Sequence, residues 1–383
     1  MSWNSVIGQE RVKKLLKRAM ETGQLAHSYL FYGSEGVGKD ATAIEFAKAL
    51  NCISQNGESC GECSNCKSIA RLQHPNVKLI FALPTTKEEE NDTEDSTGRK
   101  QTKDDSVFAK LSKDVLEEIQ EQIEEKAKNP YFHIEISKAN AIRIASIRDV
   151  KRELSLSLFS TGKRVVMLLD ADMMNEEAQN AFLKTLEEPP PETIIILTSS
   201  RVEKLKPTII SRCQQISFDV LHENDIINAL STRQEIPETQ ARILAQLANG
   251  NYRRATELLG EDLPARREEV VQFLRLLATK TSADIVSDVD TKSKSFTRQE
   301  AAQFLILLLF WFRDVFVLQH QGAIINVDQK EPLERFVQRY QNFDAEKAYS
   351  QTENTLSLVL KNVYIRLALT TLALDLQAMF QSK

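Results

Sequence analysis

The sequence has no apolar run long enough to cross a bilayer. Its longest, Phe304 to Phe312, falls far short of the roughly 20 residues that a spanning helix needs, so it reads as a helix buried in a bundle. The N-terminal MSWNSVIGQERVKKLL lacks the apolar centre of a secretion signal and turns charged and amphipathic at once, which points to a cytoplasmic chain. Positive charge is short as well. Lys and Arg number 49 against 54 Asp and Glu, a net of −5, which argues against the global basic field of a stand-alone nucleic-acid binder. Gly and Pro are few, 12 and 10 in 383 residues, and that excludes a fibrous or low-complexity chain. Of only five cysteines, four lie between Cys52 and Cys66, a clustering that in a cytosolic chain points to metal before disulfides.

What is present is a helix-rich globular composition, 42% hydrophobic and 27% charged, in a chain longer than one hydrophobic core usually serves. Two or three domains are expected. Val12, Leu15, Leu16, Ala19 and Met20 stand at helical spacing, and Ser28 to Tyr32 is a short strand that ends at a glycine-rich turn. A helix from Asp40 would bury Ala43, Ile44, Ala47 and Leu50, and Val77 to Phe81 reads as a further strand. Residues 86 to 106 hold almost no apolar side chain and are expected to be a mobile insert, completed by a solvated helix on Phe108, Leu111, Val115, Ile119 and Ile123. Ser146 and Asp149 have the spacing of a capping box that opens the next helix. Arg164 to Asp170 and Thr193 to Thr198 are continuous apolar runs, as strands covered on both faces require. Between them Asn175 to Glu188 is a helix that stops at three prolines. Alternation of helix and strand implies a parallel α/β sheet, and from about Leu221 helical patterns take over.

Gly33-Ser34-Glu35-Gly36-Val37-Gly38-Lys39-Asp40, between strand and helix, matches G-x-x-x-x-G-K-[ST] except at its last position. Gly33, Gly36 and Gly38 would let backbone amides wrap phosphate oxygens, and Lys39 would bring a point charge to them. The hydroxyl that normally meets Mg²⁺ is replaced by the carboxylate of Asp40, so a glycine-rich turn without a ligand stays open as an alternative. Met167-Leu168-Leu169-Asp170 has the form of a Walker B strand, with Asp170 placed to help hold Mg²⁺. A water-activating Glu would follow, but residue 171 is alanine, and Asp172 one step on points elsewhere.

Asn180-Ala181-Phe182-Leu183-Lys184-Thr185-Leu186-Glu187-Glu188-Pro189-Pro190 resembles the NALLKTLEEPP signature of bacterial clamp-loader subunits, AAA+ proteins of DNA polymerase III. Pro207-Thr208-Ile209-Ile210-Ser211-Arg212-Cys213 is similar to the Ser-Arg-Cys motif of that family. The resemblance implies that Arg212 is an arginine finger acting in trans on a neighbour's γ-phosphate; a surface arginine in a salt bridge is its common alternative. It places Leu197-Thr198-Ser199-Ser200 at sensor 1 and Arg253, in Gly250-Asn251-Tyr252-Arg253-Arg254-Ala255, at sensor 2; ordinary turn residues and a solvated helix arginine are the respective alternatives. The missing glutamate and the altered Ser/Thr position make the chain similar to the delta-prime branch of the family rather than the ATP-hydrolysing gamma/tau branch.

Cys52, Cys60, Cys63 and Cys66 form C-x7-C-x2-C-x2-C just after the P-loop helix, a spacing suited to tetrahedral structural Zn²⁺. An iron–sulfur cluster is the metal alternative, though its usual spacings differ. The resemblance implies a small zinc module at this place.

The expected architecture is therefore a P-loop AAA+ α/β domain over residues 1–220, with a zinc module at about 52–66 and a charged mobile insert at about 86–130. A helical lid at 221–262 and an all-α collar at 263–383, the main subunit contact, complete it. The family implies a heteropentameric ring with gamma/tau and delta subunits. Through the assembled ring it reaches the sliding clamp and primer–template DNA. ATP and Mg²⁺ binding stay open, and no autonomous ATPase is expected. An active AAA+ motor, supported by the intact Gly33 to Lys39 loop and opposed by Ala171, is the rival reading. A zinc-dependent nucleic-acid-binding module is a second rival, favoured by the cysteines and opposed by the acidic balance.

Overall fold

A computed structural model describes residues 3–54, 58–84, 107–155, 162–260, 263–324, 326, 329–361 and 363–381. The expected mobile segment at 86–106 lies outside them. The chain divides into two compact units, residues 1–229 with 250–254, and residues 230–249 with 255–383. The expected lid, 221–262, is thus shared between the two units, and Arg253 belongs to the first.

In the first unit, strands β1 (Ser28–Tyr32), β2 (Val77–Ile80), β5 (Arg164–Leu168), β6 (Thr193–Ser199) and β7 (Gln214–Ser217) form one sheet in the order β2-β5-β6-β1-β7. Every pairing in it is parallel. β3 (Leu83–Pro84) and β4 (Ala139–Ala141) make a separate antiparallel pair. Helices α1 (Glu10–Glu21), α2 (Lys39–Leu50), α3 (Ser64–Ala70), α4 (Lys113–Lys128), α5 (Ile144–Ser155), α6 (Glu176–Glu187) and α7 (Pro207–Ile210) complete the unit. All seven residues of β6 are buried, the expected state of a central strand covered on both faces. Leu30, Val166, Ile195, Leu197, Phe182 and Ile209 share one core, which joins β1, β5 and β6 to the inner faces of α6 and α7.

Three local readings are corrected. α5 begins at Ile144, two residues before the supposed cap, and Asp149 lies inside it, accepting from Val107 N at 2.7 Å and from Arg152 at 2.7 Å. Ser146 and Asp149 are therefore not a capping box. β7 has no strand pattern of its own, since Gln214-Gln215-Ile216-Ser217 carries one apolar residue; its pairing with β1 makes it a strand. The helix after the charged segment is α4, but it is not merely solvated. Ile119, with Phe81, Leu83, Ile134, Ile136 and Leu169, forms a core of its own, and Lys126 is 1% exposed.

In the second unit α9 (Glu238–Ala248), α11 (Leu263–Thr279), α12 (Ser282–Ser295), α13 (Arg298–Gln319), α14 (Lys330–Arg339), α15 (Ala345–Leu360) and α16 (Ile365–Gln381) are joined by α8 (Glu223–Arg233) and α10 (Tyr252–Glu257), within which the unit boundary runs. Glu300–Gln319 is 20 residues long and apolar enough, by length and composition, to cross a membrane, which the count from Phe304 to Phe312 missed. Leu305, Leu308, Phe312 and Val315 of this helix are instead fully buried in a core that also holds Ala348, Leu372 and Leu376, with α13 packed mainly against α15. Apolar length here serves a bundle core. The helix opens on a reciprocal capping box: Glu300 N donates to the Thr297 hydroxyl at 3.2 Å and Thr297 N to the Glu300 carboxylate at 2.8 Å.

Candidate functional site

The parallel register sets the ends of β1 and β6 side by side, with Tyr32 opposite Ser199, so the turns after the strands gather at one edge of the sheet. A pocket opens there. Gly36, Gly38, Lys39 and Asp40 line it from the P-loop, Asp170 and Ser200 from the turns after β5 and β6, and Arg253 from the residues after α9. The close approach requires glycine at two points. A Cβ on Gly36 (φ +66°) would lie 1.7 Å from Asn251 Oδ1, and one on Gly38 (φ +100°) 2.8 Å from the Tyr131 hydroxyl. The P-loop is further tied by Tyr252 N donating to Gly36 O at 3.1 Å.

Lys39 is buried and its Nζ donates to Gly33 O at 2.8 Å, Ser34 O at 2.6 Å and Ser200 Oγ at 3.0 Å. Burial pulls its pKa below the usual lysine range despite the carboxylates of Asp40, Asp170 and Glu35. Asp40, the residue in place of Ser/Thr, faces the ammonium of Lys126 at 2.5 Å. Burial alone would raise its pKa, but Lys126 and then Lys39 outweigh this and hold its carboxyl below the usual range. Asp170 sits in a left-handed turn (φ 50°) beyond the strand, 3.4 Å from His133 Nδ1. Burial and the negative charge of Asp40 push its pKa up to about 6.

Ala171 is fully buried in the core of the sheet and does not line the pocket. Asp172 is buried too, and its oxygens are engaged by the Ser199 hydroxyl at 2.9 Å, Ser200 N at 3.3 Å and Arg201 Nε at 2.9 Å. It braces the turn after β6. Arg253 lies 3.6 Å from Glu35 on the P-loop. The candidate arginine finger stands apart from this pocket: Arg212 is held by Glu187 at 2.5 Å and by Thr208 O at 2.9 Å, with its side chain 35% exposed.

Past the other end of α2, the Sγ atoms of Cys52, Cys60, Cys63 and Cys66 all lie within 4.8 Å of one another and could hold a metal ion. The residues fit that role by their donor geometry. Cys60 N donates to Cys52 Sγ at 3.3 Å, Cys63 N to Cys60 Sγ at 3.3 Å and Cys66 N to Cys63 Sγ at 3.4 Å, contacts that favour the thiolate form a metal needs. The backbone amides of Cys63 and Glu62 bring the Cys60 thiol down to about 6, whereas burial lifts Cys66 to about 12.

Residues 8–222, more than half of the chain, match the profile of the family described as DNA polymerase III, delta subunit. The chain belongs to this family. Among its relatives, the DNA polymerase III subunit delta′ of Bacillus subtilis is 28% identical over 315 residues, 81% of this chain and 78% of the relative. The corresponding subunit of Pseudomonas aeruginosa is 27% identical over 66% of this chain and 62% of its own length. The tau subunit of Bacillus subtilis is 25% identical over 86% of this chain, which spans only 52% of that longer protein. The family expected from Asn180 to Pro190 and from Ser211-Arg212-Cys213 is therefore the one found.

Lys39, Asp40, Asp170 and Arg253, singled out by the motifs, line one pocket. The motifs missed Tyr131, His133 and Lys126. Tyr131 and His133 line the pocket, and Lys126 binds Asp40 from a segment 86 residues further along the chain. Helical spacing pointed to α4, but a lysine among its many charges carried no sign of burial.

Proposed function

We propose that the chain is a delta-prime-type subunit of the DNA polymerase III clamp loader, a cytoplasmic member of a heteropentameric AAA+ ring that does not hydrolyse ATP itself. The observation that carries this reading is Ala171: the position that would hold the water-activating glutamate is a fully buried alanine, and the neighbouring Asp172 is occupied by Ser199 and Arg201. Its contribution to turnover is made in trans. Arg212, freed from Glu187 at a subunit interface, meets the γ-phosphate held by a neighbour. In this reading the four cysteines hold a structural Zn²⁺, and residues 221–262 act as a lid. Residues 263–383 form the collar that joins gamma/tau and delta subunits. Leu358, Leu360, Tyr364 and Leu367, 45%, 63%, 69% and 62% exposed around the turn between α15 and α16, support an interface there. The sliding clamp and primer–template DNA are reached through the assembled ring.

The test is reconstitution with the gamma/tau and delta subunits of the same organism. Arg212→Ala is expected to leave assembly intact and lower the clamp- and DNA-stimulated ATPase on the order of 10³-fold. An unchanged rate would reduce Arg212 to its salt bridge with Glu187. Strong ATPase by the chain alone would favour the motor reading instead. Deletion from residue 263 onward should abolish entry into the ring, and normal assembly by the shortened chain would move the interface elsewhere.

A further inference from the structure

The P-loop pattern implies a magnesium ion beside the residue that follows the lysine, held by a hydroxyl there and helped by the acid after the neighbouring strand. In this chain that residue is Asp40 and the acid is Asp170. The position beside Asp40 Oδ2 is taken. Lys126 Nζ lies 2.5 Å from Asp40 Oδ2 and donates a second bond to Phe132 O at 2.6 Å, and the lysine is 1% exposed. An ion bonded at about 2.0–2.1 Å to the oxygen that Lys126 holds would stand against the ammonium, two cations sharing one carboxylate oxygen. The magnesium ion implied by the motif does not fit while Lys126 is there.

The lysine is held by more than its ion pair. It sits in the last turn of α4, where positive charge complements the helix dipole. α4 is anchored through Ile119 to Phe81 and Leu83, and the chain returning from it through Ile134 and Ile136 to Leu169. The same return segment carries Tyr131, whose hydroxyl accepts from Ile7 N at 2.8 Å, and His133, which faces Asp170. Asp40 and Lys126 are complementary departures. A carboxylate replaces the metal-binding hydroxyl, and an ammonium on α4 stands where the metal would be.

We propose that Lys126 is a tethered cation occupying the divalent-metal position of this P-loop, so that Asp40 serves a lysine instead of an ion. This does not depend on the role in a ring, and a chain unable to join a clamp loader would answer the test equally well. The experiment is a Mn²⁺ titration of the full chain followed by electron paramagnetic resonance, run alone and with ADP, on wild type, Lys126→Met, Lys126→Arg, and Lys126→Met combined with Asp40→Asn. Wild type and Lys126→Arg are expected to show no Mn²⁺ bound at Asp40. Lys126→Met should gain a site with affinity raised about tenfold or more, since a charge within about 4–6 Å shifts an ionic equilibrium by one to three decades. Adding Asp40→Asn should remove it. The proposal fails if wild type binds Mn²⁺ in a manner that Asp40→Asn abolishes, or if Lys126→Met keeps its thermal transition and gains no site. Should Lys126→Met not fold, Lys126→Gln, which removes the charge but can still donate to Phe132 O, takes its place with the same two outcomes.

Discussion

Helix α2 has the P-loop pocket at its N-terminus and the four-cysteine cluster just beyond its C-terminus, and the two ends arrange their candidate donors differently. At the cysteine end the donors come from one short stretch, 52–66, and converge with room for an ion among four sulfurs. At the P-loop end the expected donors, Asp40 and Asp170, also converge, but a lysine from a distant segment already faces one of them. Midway along the same helix Glu45 is 2% exposed and ties three pieces together. It accepts from Ser5 Oγ at 2.6 Å, Trp3 N at 3.4 Å, Lys48 Nζ at 2.7 Å and the Ser59 hydroxyl. A motif of correct spacing thus predicts a ligand only when nothing elsewhere in the chain competes for its donors.

The largest effect is expected at the cysteine end. Structural Zn²⁺ sites are worth about 10–16 kcal/mol, so Cys63→Ser should cost several of these and open residues 58–70, read as loss of bound zinc and faster amide exchange confined to that stretch. Because Cys66 is pushed up to about 12, uptake of the ion should release protons and weaken as pH falls. Iron in the purified protein, or no metal, would end the contrast.

At the P-loop end Asp40→Ala leaves Lys126 buried without its partner, a change that typically costs about 3–5 kcal/mol. Chemical denaturation should show that loss, with partial recovery in Asp40→Ala combined with Lys126→Met. A stability change near zero would mean that the pair is not held as described.

Glu45→Gln should cost about 2 kcal/mol, as charged hydrogen bonds to Lys48, Ser5 and Ser59 are lost. Burial would raise the Glu45 pKa, but Lys48 and the two hydroxyls hold it below the usual 4.5. A folded pKa below the unfolded one means that the stabilisation is complete above about 4.5 and disappears as pH falls through the lower folded value. Wild type should lose stability over that acidic window and the variant should lose less, which parallel melts from pH 6 to 3 would reveal.

The smallest change is Lys39→Ala. Its ammonium bonds two loop carbonyls and Ser200, so its removal should cost about 1 kcal/mol in the chain alone. A much larger loss would assign the loop lysine a structural weight comparable to Lys126.

Much of this protein is written in local pattern. β1 was read at its observed limits, β6 to within one residue, and the P-loop and the cysteine spacing declared themselves, because each rests on residues within a few turns of one another. The motif also pointed to Asp170 and Arg253, which the sheet edge then delivers to the same pocket. Sequence alone therefore determined the parallel α/β unit, the helical remainder, the family and the two candidate cation sites. Tertiary structure decided what surrounds the donors of those sites. β7 is a strand only because β1 offers it an edge, Asp172 is a brace only because Arg201 and Ser199 reach it, and the metal position is filled because α4 packs where Lys126 meets Asp40. The physical reason is that burial and charge pairing between residues tens of positions apart depend on how elements pack, and a surface lysine and a buried one look alike until they do.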